Sequence, residues 1–268
     1  MPPSEPKPGA TPTSRKSAAA KAAPVTGARA GKAAGAKAAG AKAPAKATPR
    51  LPEPVDPETL VETFRRWRAI EPEPKGELEY VNPYTLLVAV ALSAQATDVG
   101  VNKATRALFQ VADTPQKMLD LGEERLLDYV KSINFFRTKA RNVIALSRRL
   151  VEEFGGEVPA SVEILETLPG VGRKTASVVV NMAFGIPRIA VDTHIFRVSN
   201  RIPFVNTKEP LETQGALEGL VPDEFRLHAH HWLILHGRYT CKARLPECWR
   251  CPIRDLCRYE PKTPEPAA

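Results

Sequence analysis

Lys174 stands in the stretch LPGVGRKTASVVV, Leu168 to Val180, where two glycines and a proline make a tight turn before an apolar, helix-like run. A helix N-terminus carries partial positive charge and disfavours a cation in its first turn. Two chemistries account for the lysine. In one it meets an anion: Gly170 and Gly172 can take positive φ and admit another backbone closely, and the N–H groups opening the helix, with Arg173, form a phosphate site. In the other it is a nucleophile, because the potential of the helix end and of Arg173 favours the uncharged amine. On the turn alone, an exposed lysine touching phosphate is the simpler account. A nucleotide-binding loop is rejected, since Arg173 separates Gly172 from Lys174 and no G-x4-G-K-[ST] occurs.

The second group able to do chemistry is Cys241, Cys248, Cys251 and Cys257, all of the chain's cysteines, spaced C-x6-C-x2-C-x5-C. Thiolates this close in sequence can converge on one centre without help from elsewhere. Disulfides are disfavoured in a chain with no export signal. Structural zinc usually takes two short knuckles, and only one gap here is that short, so an iron–sulfur cluster stands ahead of zinc. The same loop is locally basic, with Arg238, Lys242, Arg244, Arg250, Arg254 and Arg258 against Glu247 and Asp255. His228, His230 and His231 share a helix with Trp232 and have no carboxylate cluster nearby, so packing and hydrogen bonding are expected of them.

The elements that must position these groups read as helices. PETLVETFRRWRAI (57–70) sets Leu60, Phe64, Trp67 and Ile70 on one face, with Pro57 suited to the first turn. YTLLVAVALSAQAT (84–97) is apolar nearly all round and is expected as a buried helix. VNKATRALFQ, TPQKMLDL and EERLLDYVKSI follow, with Thr114 as an N-cap. KARNVIALSRRLVEEF (139–154) is a long amphipathic helix stopped by Gly155-Gly156. SVEILETL (161–168), capped by Ser161, runs into PGVG and the helix from Arg173, which gives a helix-hairpin-helix. THIFRVSNRI (193–202), PLETQGALEGL and EFRLHAHHWLILHG (224–237) complete the pattern. No stretch sustains period-2 alternation, so the fold class is all-α with about ten short helices.

The N-terminal segment differs. Between Met1 and Leu51 the only bulky apolar residue is Val25, and Ala, Lys, Pro, Gly, Ser and Thr dominate. Such a segment cannot bury enough apolar surface to offset its ordering entropy, so residues 1–52 are expected to be a disordered tail. Residues 1–50 hold ten basic residues against Glu5, a net +9; the whole chain carries +8, so the remainder carries −1. The basic balance thus belongs to the tail, which suits a sequence-independent polyanion binder acting by counterion release. No run approaches transmembrane length, and the N-terminus has no apolar signal region. The expected setting is the cytoplasm, associated with the nucleoid, with no membrane partner.

Taken together, LPGVGRKTA, VDTHIFRV (191–198), LSAQATD (92–98), HHWLILHGRYTC (230–241) and the cysteine spacing resemble the endonuclease III family. These are bacterial DNA glycosylase/AP lyases of the helix-hairpin-helix superfamily, and the resemblance covers about residues 57 to 260. It implies two helical domains with DNA at the cleft between them. One is a six-helix barrel with the hairpin, over 76–186; the other is an iron–sulfur cluster domain, from 53–75 plus 187–260. Residues 261–268 form a short C-terminal tail.

Carried over residue by residue, the resemblance makes Lys174 the nucleophile that attacks C1′ of a damaged nucleotide, and Asp192 the essential carboxylate facing it. Asp192 is also placed as an ordinary helix N-cap. Cys241, Cys248, Cys251 and Cys257 become ligands of a [4Fe–4S] cluster. Gln95 matches the residue that fills the hole left by an extruded base, and Phe135, in INFFRTKA (133–140), the apolar wedge between bases. Gly170, Gly172, Arg173 and Arg197 join these on the DNA side, and His194 supports Asp192. The sequence departs from the family at Asn134, where glycine is frequent, and at Phe135, where an aliphatic residue is frequent. Asn tolerates left-handed φ, so the loop shape is expected to survive.

The implied activity is that of a bifunctional glycosylase/AP lyase. It would act as a monomer on duplex DNA carrying a damaged pyrimidine or an abasic site. An adenine-mismatch monofunctional glycosylase is the nearest alternative, and Lys174 opposes it. A non-enzymatic DNA-binding protein is the alternative from another class, for which the tail speaks; the pairing of Lys174 with Asp192 opposes it.

Overall fold

The computed structural model describes residues 53–267, so the expected tail over 1–52 lies outside the described residues. Among these residues every regular element is helical and no strand occurs. The helices are α1 (Pro57–Ile70), α2 (Pro83–Ser93), α3 (Asp98–Val111), α4 (Pro115–Val130), α5 (Phe136–Phe154), α6 (Val162–Leu165), α7 (Arg173–Phe184), α8 (Thr193–Arg201), α9 (Pro210–Leu220) and α10 (Asp223–Tyr239). A single 3₁₀ turn, Cys248–Arg250, lies in the cysteine loop.

Local chemistry explains most of the boundaries. Asp56 caps α1 by accepting from the Thr59 N–H at 2.8 Å, with Pro57 inside the first turn. Asn82 and Thr85 form a reciprocal capping box on α2. Thr114 and Ser161 cap α4 and α6 as expected, each accepting an N–H at 3.3 Å. Within α4 the chain breaks at Gly122 (φ 79°, ψ 162°), so the element is the two segments read from the sequence. α5 ends at Gly155, whose N–H returns to the Leu150 carbonyl.

Two expected spans are corrected. The helix read over 84–97 stops at Ser93, because Lys139 Nζ from α5 binds the Leu92 and Ala94 carbonyls at 2.9 and 2.6 Å. Ala96 N–H turns back to Ser93 instead of continuing the ladder. The helix read over 161–168 is the single turn α6, followed by tight turns from Thr167 to Ile164 and from Leu168 to Leu165.

The described residues form one compact unit. Within it the buried apolar side chains sort into two cores. The first joins α2, α3, α4, α5 and α7 around Leu86, Leu108, Leu126, Leu146 and Val179. As the sequence suggested, α2 is apolar on nearly every side, and it packs on α7, α3 and α5. The second core joins α1 to α8, α9 and α10 around Phe64, Phe204, Phe225 and Leu233. The Phe64 ring stacks on Phe204 and Phe225 at 5.9 and 5.7 Å, an aromatic centre that holds the N-terminal helix to the C-terminal ones. Asn102 pins the connecting segment, donating to the Glu77 carbonyl and accepting from the Glu79 N–H. Asn181 on α7 donates to the Leu227 carbonyl on α10 at 3.0 Å and joins the cores directly.

Candidate active site

The hairpin α6–turn–α7 presents the lysine. Gly170 has φ +76°, and a Cβ there would lie 2.7 Å from Asn142 Nδ2, so both backbone and packing require glycine. Gly172 departs from expectation: its φ of −97° and ψ of 173° are extended backbone that any residue adopts. A Cβ at Gly172 would point into open space. No side chain caps α7 and no acidic residue sits in its first turn. Its leading N–H groups therefore face outward with the helix dipole behind them. Arg173 is half-exposed and pairs with Glu166 at 3.3 Å.

Lys174 sits in the first turn of α7 with 54% of its side chain exposed, and its Nζ lies 3.9 Å from Asp192 Oδ2. That is ion-pair distance and too long for a hydrogen bond. Asp192 is 12% exposed, and its other oxygen, Oδ1, caps α8 by accepting from His194 N–H and Ile195 N–H, both at 2.9 Å. The N-cap and the lysine-facing roles thus use different oxygens of one carboxylate. His194 Nδ1 lies 3.3 Å from Arg197 Nη2. Arg197, assigned to the DNA side from the resemblance, directs its guanidinium inward. It donates to the Gly237 carbonyl at 2.8 Å and the Cys241 carbonyl at 3.2 Å. It ties α8 to the end of α10, which is a supporting position.

Behind Lys174 lies a cleft of about 70 Å³ between the two cores, walled by Val90, Ser93, Asp98, Met182, His230 and Arg238 among others. Sequence reasoning missed its polar floor. Arg238 donates to Asp98 at 2.6 Å and also pairs with Glu77, which accepts from Tyr239 as well. These partners are 140 and 161 residues apart in sequence, so no local pattern announces them. His230 and His231 pack edge to face at 5.1 Å. Burial holds the His230 imidazole well below its usual range, and His231 falls to about 4 for the same reason.

Gln95 and Phe135 lie on adjacent exposed loops, Phe135 with 66% of its surface exposed. They are the only non-glycine residues with positive φ among the described residues, at 55° and 59°. For an aromatic side chain this is a genuine outlier. The left-handed residue in that loop is therefore Phe135, and Asn134, expected to take that conformation, does not.

Cys241, Cys248, Cys251 and Cys257 line one pocket with Arg201, His236 and Ile253. Arg201 Nη1 donates to Cys241 Sγ at 3.6 Å. Burial raises the Cys251 thiol to about 11 and the Cys241 and Cys257 thiols in the same direction. Four thiols lining one pocket match the donor set of a four-iron centre, in which each iron takes one thiolate.

An all-helical chain with a glycine hairpin, an uncapped second helix and a lysine facing a carboxylate defines a protein of the helix-hairpin-helix class. The chain belongs to the HhH-GPD superfamily of base excision DNA repair proteins, whose profile matches residues 88–223. It is 59% identical over 194 residues to endonuclease III of Treponema pallidum, covering 72% of this chain and 92% of that one. It is 54% identical over 202 residues to endonuclease III of Escherichia coli K12, covering 75% and 96%. Among solved structures, a trapped endonuclease III–DNA covalent intermediate matches with a TM-score of 0.71 at 42% identity, over 76% of this chain and 96% of that one. No helix among the described residues is long and apolar enough to cross a membrane.

Proposed function

We propose that this chain is a bifunctional DNA glycosylase and AP lyase that removes oxidised pyrimidines from duplex DNA, with Lys174 as nucleophile. The observation that carries the reading is the exposed Lys174 amine 3.9 Å from Asp192 Oδ2, beside a helix end free to take a phosphate. The Asp192 carboxylate stabilises the cationic sugar by its charge as the bond to the base breaks, and it accepts the proton that the lysine nitrogen sheds once bonded to C1′. The neutral amine attacks C1′; the bond from C1′ to the base breaks, and the base leaves with the electron pair and takes up a proton. The sugar ring opens to an iminium, loss of a C2′ proton follows, and the C3′–O bond breaks to release the 3′ phosphate. Gly170 and Gly172 shape the turn that brings the α7 N–H groups to the phosphate, with Arg173 alongside. Gln95 fills the space left by the extruded base, and Phe135 wedges between neighbouring bases.

Cys241, Cys248, Cys251 and Cys257 would hold a [4Fe–4S] cluster. When bound, it supplies a rigid cross-link of the loop after α10, with no part in the reaction. The two cores support a division into the domains 76–186 and 53–75 plus 187–260, with the cleft between them as the base pocket. The +9 of residues 1–50 favours a further, sequence-independent hold on DNA and an association with the nucleoid. Borohydride reduction tests the chemistry. Wild type should give a covalent adduct with a duplex containing thymine glycol, and Lys174→Ala none. An undiminished adduct in the variant, or none in wild type, removes the lyase reading.

A further inference from the structure

The two strained loops that carry Gln95 and Phe135 are tied to one another. Asn134 Nδ2 donates to the Gln95 carbonyl at 3.1 Å. Lys139, buried at the start of α5, donates to the Leu92 and Ala94 carbonyls, while its own N–H holds the Phe135 carbonyl at 3.0 Å. Three carbonyls at the end of α2 are thus held by two side chains that flank Phe135 in sequence. Positive φ at Gln95 and Phe135 costs free energy and persists only where the surroundings fix it. Packing does not fix it, because both side chains are exposed. What spans the two loops is the set of side-chain bonds from Asn134 and Lys139, beside the backbone turn from the Ala96 N–H to the Ser93 carbonyl.

We infer that Asn134 is a positioning residue that couples the two loops, so that Gln95 and Phe135 enter the duplex as one preorganised unit. This rests on the base-extrusion reading above. A glycine at 134 would leave the Gln95 carbonyl without that donor and the two loops free to move separately. Each residue would then be ordered only when DNA is bound, and the ordering would weaken the extruded state. Lys139 anchors the base of the same unit from α2, whereas Asn134 reaches its tip.

The test compares two substrates. One is a duplex with thymine glycol, where a base must be extruded and the hole filled; the other is a single-stranded abasic oligonucleotide, where neither is needed. Asn134→Ala should lower the ratio of the duplex excision rate to the single-strand trapping rate about fivefold, the scale of one lost hydrogen bond. Asn134 is exposed, so the variant keeps its core. In a mutant cycle, Asn134→Ala added to a variant carrying both Gln95→Ala and Phe135→Ala should cost less than a further twofold, because Asn134 acts through those two side chains. An unchanged ratio in Asn134→Ala, equal losses on both substrates, or multiplying effects when it is added to that variant overturn the coupling. Failure of wild type to trap on either substrate would instead remove the enzymatic reading.

Discussion

Asp192 carries two duties on one carboxylate, and a single substitution separates them. Oδ1 caps α8 through two N–H groups, while Oδ2 faces Lys174. Asparagine caps a helix about as well as aspartate but accepts no proton and carries no charge. Asp192→Asn should therefore keep its melting temperature within a degree or two and lose roughly 10²-fold in single-turnover excision. Asp192→Ala should lose both activity and about 1 kcal/mol of stability. Equal melting losses for the two variants would mean that the cap does not matter. The stretch VDTH gave the cap from residue types alone; the second oxygen's direction depends on how α8 meets α7, which no local pattern encodes. Arg197 shows the same limit from the other side. A basic residue near a DNA-facing motif suggests a phosphate contact, yet the packing of α8 on α10 turns its guanidinium onto carbonyls.

At the scale of elements, the hairpin separates glycines needed by the fold from those needed by a ligand. Gly170→Ala meets a left-handed φ and an Asn142 side chain at under 3 Å, so it should destabilise the protein by about 1–3 kcal/mol. Gly172→Ala has an ordinary backbone and empty surroundings, so it should melt no lower than wild type. Its methyl group projects where a phosphate approaches the α7 N–H groups, so affinity for an abasic duplex should fall about tenfold. Calorimetry and fluorescence anisotropy on the two variants check the contrast, and a loss of affinity without Gly170's loss of stability is the distinguishing result. Sequence reasoning located this turn because glycine, proline and a following apolar run are local signals. It overran α2 for the opposite reason. Nothing in LSAQAT says that a lysine 45 residues further on will take its last carbonyls. Helix starts with a capping side chain, at Thr114, Ser161 and Asp192, were legible to the residue.

Across the whole molecule, two cores meet along α7 and α10, and the histidines at that seam tie stability to pH. His231 has its folded pKa lowered to about 4, and His230 lies well below its ordinary value, both through burial, with His231, Lys174 and Arg238 adding to the effect at His230. The unfolded chain binds protons at these sites near 6.5. The unfolded state therefore holds more protons between about 4 and 6.5, and stability rises with pH across that window. Their contribution is complete above pH 6.5 and is lost as pH falls toward 4. Each histidine adds a slope of up to about 1.4 kcal/mol per pH unit. The carboxylates held below their ordinary values by arginine partners, such as Glu79 and Glu153, lose their contribution only as pH falls through the ordinary carboxylate range and lower, beneath about pH 5.5. Denaturant unfolding at pH 7.5, 6.5 and 5.5 should thus show little change over the first step and a loss over the second. His231→Gln, which removes one titrating ring from the seam, should flatten the second step by about one proton. A slope unchanged by that substitution would place the pH dependence elsewhere than between the two cores.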